Sequence, residues 1–166
     1  MNLKQQNKKM KKTTVLLSKR NKELYNEQLD ILNTICREYK NCPITLNRID
    51  EYEMGNVALK ELVKRLVADS EIIVIDFSSV IENDIRLRFI REIKTVKNLI
   101  PEVVACMKSG FATESENSKK MMSDALCPIL QPANIVLYND TQDFGRKLSS
   151  IFKGEFNFKE LEGALV

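Results

Sequence analysis

Four consecutive branched aliphatic residues, Ile72-Ile73-Val74-Ile75, constrain the fold of this chain more than any other stretch. A run without polar alternation is a strand covered on both faces, and such strands belong to sheets with helices on either side. The surrounding segments alternate accordingly. Residues 13–17 are short, apolar and rich in β-formers, which predicts a first buried strand. Residues 22–39 place Tyr25, Leu29, Leu32, Ile35, Cys36 and Tyr39 at helical spacing, the pattern of an amphipathic helix. Residues 43–46 predict a second strand and residues 47–55 a polar loop. Over residues 57–68, Leu59, Leu62, Val63, Leu66 and Val67 form a second helical stripe.

Beyond the central strand, Ile85, Phe89, Ile93 and Val96 mark another helix. Pro101 suits a first helical turn and Gly110 the position after a last one, so a short helix is expected between them. Residues 112–123 are polar and read as an exposed connection, a lid or an insertion. Residues 135–138 are the last clear strand, and Phe144, Leu148, Ile151 and Phe152 give the closing helix its inner face. Strands alternating with helices imply parallel pairing through right-handed crossovers. The expected fold is a three-layer α/β sandwich with a mostly parallel central sheet, of flavodoxin or Rossmann type.

At 166 residues and 43% hydrophobic content, the chain has the material for one compact domain, expected over residues 13–166. Its net charge of +3 misleads, because Lys4, Lys8, Lys9, Lys11 and Lys12 lie in the first dozen residues, and removing them leaves about −2 for the rest. Residues 1–12 read as a disordered basic tail, and the body is no platform for nucleic acid. No run approaches the roughly 18 apolar residues of a membrane span, so a protein of the cytoplasm, without membrane partners, is expected. The chain has no histidine, and its four cysteines show no C-x-x-C spacing. These facts argue against zinc and against Ser-His or Cys-His nucleophile pairs. Carboxylates, hydroxyls or lysines must carry any chemistry, and no metal or cofactor is expected.

In sheets of this type the ligand crevice lies outside the carboxyl ends of the strands. That rule selects Ser18, Lys19 and Arg20 after the first strand, Arg48 and Asp50 after the second, Asp76, Ser78 and Ser79 after the third, and Asn139 after the last. Strand-terminal Asp and Ser also serve as helix caps, which is the competing role for each of them. Glu102 is singled out separately. In the first turn of a helix a carboxylate is stabilised by unpaired N–H groups and the helix dipole. An ionised carboxylate of that kind can hold ribose hydroxyls or act on an anomeric carbon. There is no G-x-x-x-x-G-K-S/T and no G-x-G-x-x-G, so a nucleotide would have to be held by side chains and helix ends, with Arg48, Lys19 and Arg20 as cations.

Several stretches carry a family resemblance: Arg48-Ile49-Asp50 followed by Gly55-Asn56, the helix LKELVKRLVADS, the strand EIIVIDFSS, the segment KNLIPEVVACMKSG, and NIVLYND followed by DFGRKLSSIF. Together they resemble the Toll/interleukin-receptor-like and nucleoside 2-deoxyribosyltransferase-like superfamily over residues 13–152. Its pattern of a strand ending in Asp and Ser, then Asn-x-x-x-Glu with a small residue three positions on, falls on Asp76, Ser78, Asn98, Glu102 and Ala105. The resemblance implies a catalytic Glu102 acting on an N-glycosidic carbon, with Asp76 or Ser78 orienting the ribose and NAD or a nucleoside as substrate. Val104 stands where many members carry glycine, a departure that bears on activity more than on fold.

Three function classes stand open. One is an enzyme that cleaves or transfers an N-glycosidic bond of a nucleotide or nucleoside. The second is a sensor or adaptor that binds a nucleotide or a partner protein without turnover, in bacterial defence or signalling. In the third, EIIVIDFSSV resembles the strand before the regulatory serine of anti-sigma-antagonist domains, which implies phosphorylation at Ser78 or Ser79. The expected partners are a nucleotide or nucleoside and, through exposed helices, a second copy of the chain.

Overall fold

In a computed structural model, residues 10–48, 56–78, 84–99, 101–109 and 135–155 are described. The chain runs β1 (Thr13–Leu17), α1 (Lys22–Glu38), β2 (Ile44–Arg48), α2 (Asn56–Asp69), β3 (Ile72–Asp76), α3 (Ile85–Ile93), β4 (Glu102–Lys108), β5 (Ile135–Tyr138) and α4 (Thr141–Lys153). The five strands form one sheet in the order β2-β1-β3-β4-β5, with every neighbouring pair parallel. This is a three-layer α/β sandwich of the flavodoxin-like kind.

The period of two along each strand divides the core. Leu16, Ile73, Ile75, Phe77, Val103, Ala105 and Met107 face α2 and α3, packing against Leu59, Val63, Phe89 and Ile90. Val15, Leu17, Ile72, Val74, Val104, Cys106, Val136 and Tyr138 face the other way, toward Tyr25, Leu32 and Ile35 of α1 and Phe144, Leu148 and Ile151 of α4. Both faces of β3 are therefore covered, as its unbroken aliphatic run requires. On the second face α1 and α4 come close together, because a Cβ on Gly145 would lie 2.6 Å from Ile31 Cγ1.

The helix expected behind Pro101 is a strand. Glu102 opens β4, pairs with Ile72, and its N–H bonds Glu71 O at 3.0 Å. Two β-branched residues, Val103 and Val104, begin a stretch buried as far as Met107, and such a run satisfies both core faces only as a strand. Pro101 precedes the ladder, where its missing N–H costs no strand bond. Elsewhere the boundaries shift little. Asn47 and Arg48 belong to β2 rather than to a loop, and α3 ends at Ile93, short of Val96. The basic tail, up to residue 9, and residues 112–123 lie outside the described residues. No helix among the described residues is long and apolar enough to cross a membrane.

Candidate ligand site at the carboxyl edge of the sheet

The chain steps from β1 to β2 on one side and returns to place β3 on the other, so the topological switch point lies between β1 and β3. Asp76 is the last residue of β3 and is 3% exposed. Its Oδ1 accepts the Ser78 N–H at 3.0 Å, and its Oδ2 accepts the Tyr138 hydroxyl at 2.6 Å. Gln28, from the buried face of α1, donates Nε2 to the Tyr138 oxygen at 2.8 Å. Ser78 Oγ accepts the Lys108 N–H at 2.9 Å and stands 3.4 Å from the Tyr138 hydroxyl. One closed network thus joins β3, β4, β5 and α1.

Burial raises the pKa of Asp76, against the opposing pull of the Tyr138 hydroxyl and the charge of Arg86. Burial likewise pushes the Tyr138 hydroxyl far above its ordinary value, and the negative charge of Asp76 adds to it. Cys106, level with Asp76 on β4, is pushed well up by burial first and by Asp76 second, so its thiol stays protonated.

Below this network sits a fully buried arginine. Arg86 Nη1 donates to Asp76 O at 2.7 Å and Ser78 O at 2.9 Å, while Nε and Nη2 donate to the Asp84 carboxylate at 2.9 and 2.6 Å. Asp84 also caps α3, accepting the Arg86 N–H at 2.9 Å. The pair holds the chain leaving β3 and neutralises its own charge. Across the switch point, Arg20 Nε is 3.8 Å from Asp84 Oδ2, with its side chain 46% exposed. Ser18 Oγ accepts the Arg20 N–H at 3.1 Å and Asn21 caps α1, so the turn after β1 is built to present Lys19 and Arg20.

The remaining expected residues divide. Arg48 ends β2 level with Leu17, on the same edge as Arg20. Asn139 donates its N–H to Asp143 Oδ2 at 2.9 Å and accepts from Ser109 Oγ, a turn-building role beside the Asp140 cap of α4. Burial alone would raise Asp143, but the Asn139 N–H and Lys147 outweigh it and lower its pKa. Glu102 and Asn98 lie at the opposite, amino edge. Glu102 is four register positions from Cys106, the partner of Asp76, and so roughly 13 Å away along the strand. The helix dipole expected to hold its charge is absent, since it begins a strand. Asn98 is exposed at φ 57, the left-handed region that asparagine tolerates, in the turn before β4. Asp50 and Ser79 lie outside the described residues. The amino edge also carries an open groove of about 380 Å³ lined by Thr13, Thr14, Cys42, Pro43, Thr45 and Asp69, remote from the carboxyl-edge network.

Sequence reasoning did not single out Gln28, Tyr138, Asp84 or Arg86. Their signal was present in part. Gln28 interrupts the stripe of Tyr25, Leu32 and Ile35 on the buried face of α1, and Arg86 sits beside Leu87 and Phe89 on α3. A polar residue at an inward position needs a buried partner. Chemically, Asp76 is shut away with both oxygens engaged, whereas the turn after β1 carries an exposed Arg20 and a half-buried Lys19. The chain matches no protein-family model, and no curated protein is similar to it.

Proposed function

We propose that this chain is a nucleotide- or nucleoside-binding domain that senses its ligand at the β1/β3 switch point without turning it over, in a signalling or defence role. The observation that carries this reading is the division of charge at the carboxyl edge. Asp84 is already neutralised by Arg86, so among the described residues of the crevice mouth Arg20, beside Lys19, adds positive charge, while the carboxylate that could do chemistry there, Asp76, is locked to Tyr138 and Ser78. A basic mouth over a rigid, satisfied floor suits retention of an anionic ligand. Glycosidic-bond cleavage through Glu102 draws less support, because that residue lies on the other edge of the sheet. A phosphorylation switch at Ser78 draws less as well, since its hydroxyl is buried and accepts the Lys108 N–H.

The test is a thermal-shift panel of NAD, AMP, ATP and nucleosides on the purified chain, with each stabilised sample analysed by chromatography for free base. A binding domain is stabilised as its ligand rises above Kd, by about 2.7 kcal/mol at a hundredfold excess, with no base released. Base release that disappears in Glu102→Gln restores the enzyme reading. Silence across the panel removes the nucleotide.

A further inference from the structure

Cys36, in the last turn of α1, and Cys42, just before β2, are brought together by the tight reversal between these elements. Both are free thiols, Cys36 exposed and Cys42 half-buried, and their side chains are in hydrogen-bonding contact. The reversal is held at several points. The Tyr39 N–H closes α1 on Ile35 O at 3.2 Å, Asn41 takes the left-handed φ of 58 that turns the chain, and Pro43 O accepts the Thr13 N–H at 2.9 Å. Tyr39 also sets its ring edge-on against Phe152 of α4, with centroids 5.4 Å apart, and Lys153 Nζ lies 4.7 Å from its centre. Cys42 packs toward the same core face as α1. The two sulfurs therefore meet between fixed elements, and thiols in contact across a turn have the approach that a disulfide requires. The open groove of the amino edge, lined by Asn41, Cys42 and Pro43, admits a small reagent to Cys42.

We infer that Cys36 and Cys42 form a redox-modification site, a dithiol that closes reversibly to an intramolecular disulfide by exchange with a small-molecule disulfide of the glutathione class. The Cys42 thiolate attacks one sulfur of the reagent, forming a mixed disulfide and expelling one reagent thiolate. Cys36 then attacks the Cys42 sulfur, expelling the second. The protein gives up two electrons and two protons, which reduce the reagent to two thiols. Partial burial of the Cys36 sulfur first, and its hydrogen bond and charge contact with Cys42 next, push its thiol up to about 11, which suits the later step. Once Cys42 is in the mixed disulfide, it no longer holds the Cys36 proton in place. The closed bond ties the end of α1 to the start of β2 and fixes the Cys42 wall of the groove, at the edge of the sheet remote from the switch point.

Trypsin cuts after Arg37 and Lys40, between the two cysteines, so an unreduced digest reports the bond directly as two linked peptides. The full chain, equilibrated in its folded state with oxidised and reduced glutathione and then alkylated, is expected to yield the Cys36–Cys42 link, and dithiothreitol to abolish it. The linked chain should melt about 4–8 °C above the reduced one, the order for closing a short loop in a chain of this size. Cys36→Ser is expected to stop at the mixed disulfide, with one glutathione on Cys42. If both cysteines are recovered alkylated under excess oxidised glutathione, if each instead carries glutathione, or if either links to Cys106 or Cys127, the inference is overturned. An unmodified Cys42 in Cys36→Ser overturns it as well. So does a linked chain that melts no higher than the reduced one, because the bond then forms only by distorting the reversal. None of these outcomes touches the nucleotide reading, whose site lies at the other edge.

Discussion

Tyr138, the last residue of β5, donates its hydroxyl to Asp76 Oδ2 across the end of β4, tying together two strands that are not neighbours in the sheet. The bond spans the carboxyl edge just where α1 brings Gln28 down onto it. Edge geometry is therefore set by side chains as well as by the ladder, and these bonds hold the floor of the switch-point crevice in place.

Removing that donor should be costly. Tyr138→Phe leaves a buried carboxylate short of its strongest bond and Gln28 without an acceptor. A hydrogen bond to a charged group contributes about 1.5–3 kcal/mol, and the expected loss lies in that range. Urea unfolding measures it as a lower midpoint at unchanged slope. A midpoint equal to the parent's would mean that Asp76 does not depend on Tyr138.

The pH dependence has a defined sign. Asp76 has a pKa raised above the ordinary 3.8, so the folded state holds its proton more tightly than the unfolded chain. Its stabilising contribution is full below 3.8 and is lost as pH rises through the folded value. Asp76→Asn removes this term, so its stability relative to the parent should improve as pH rises above 3.8 and then level off. Denaturation from about pH 3 to about pH 8 reads the difference, and a flat one refutes the assignment. Asp143, lowered instead, contributes above its unfolded value and is lost as pH falls through its folded one.

The sheet was legible where periodicity was unambiguous. Ile72 to Ile75, four β-branched residues in a row, favoured a covered strand over a buried helix, and the stripes at Tyr25, Leu32 and Ile35 and at Phe144, Leu148 and Ile151 carried the helical period of inward-packed helices. Residues 102–108 were not, because a short buried run has no telling period and Pro101 and Gly110 mimic helix punctuation. What decided the matter was tertiary: β3 needed a partner on its far side. The turn after β1 and Asp76 were legible from the carboxyl-end rule. Tyr138 and Gln28 were not, since their partners lie 62 and 110 residues away in sequence, and Arg86 was not, since the Asp76 and Ser78 carbonyls it also holds lie 10 and 8 residues back on another element.

Glu102 follows from that difference. At the start of β4 it is partly exposed and remote from Arg20 and Asp76. Glu102→Gln should leave nucleotide affinity unchanged within twofold and stability within about 0.5 kcal/mol. Calorimetric titration of the variant is the check. Loss of affinity would place the ligand on the amino edge.

The buried ion pair makes a sharper prediction. Arg86→Met leaves Asp84 charged without its main partner and strips the Asp76 and Ser78 carbonyls of their donor. Breaking one side of a buried pair costs about 3–5 kcal/mol. Adding Asp84→Asn, which keeps a capping oxygen for α3 but removes the charge, should recover part of the loss. A double-mutant cycle in urea quantifies the coupling, and additive losses would show that the two side chains act independently.

Gly145 sets how closely α4 approaches the helix that carries Tyr25 and Gln28. A Cβ there would meet Ile31 Cγ1 at 2.6 Å, with Ile31 Cδ1 at 3.3 Å and Ile35 Cδ1 at 3.6 Å behind it. Gly145→Ala gains helix propensity, about 1 kcal/mol, yet the clash falls on the branched middle of a side chain, where overpacking costs about 1–3 kcal/mol. Net destabilisation is expected, because α1 cannot retreat without pulling Gln28 from Tyr138. Ile31→Ala in the same chain opens the space and should turn Gly145→Ala from destabilising to neutral or favourable. Thermal melts of the two single variants and the double variant decide it. If Gly145→Ala alone raises the melting temperature, Ile31 has another rotamer to occupy and the helix spacing does not depend on the glycine.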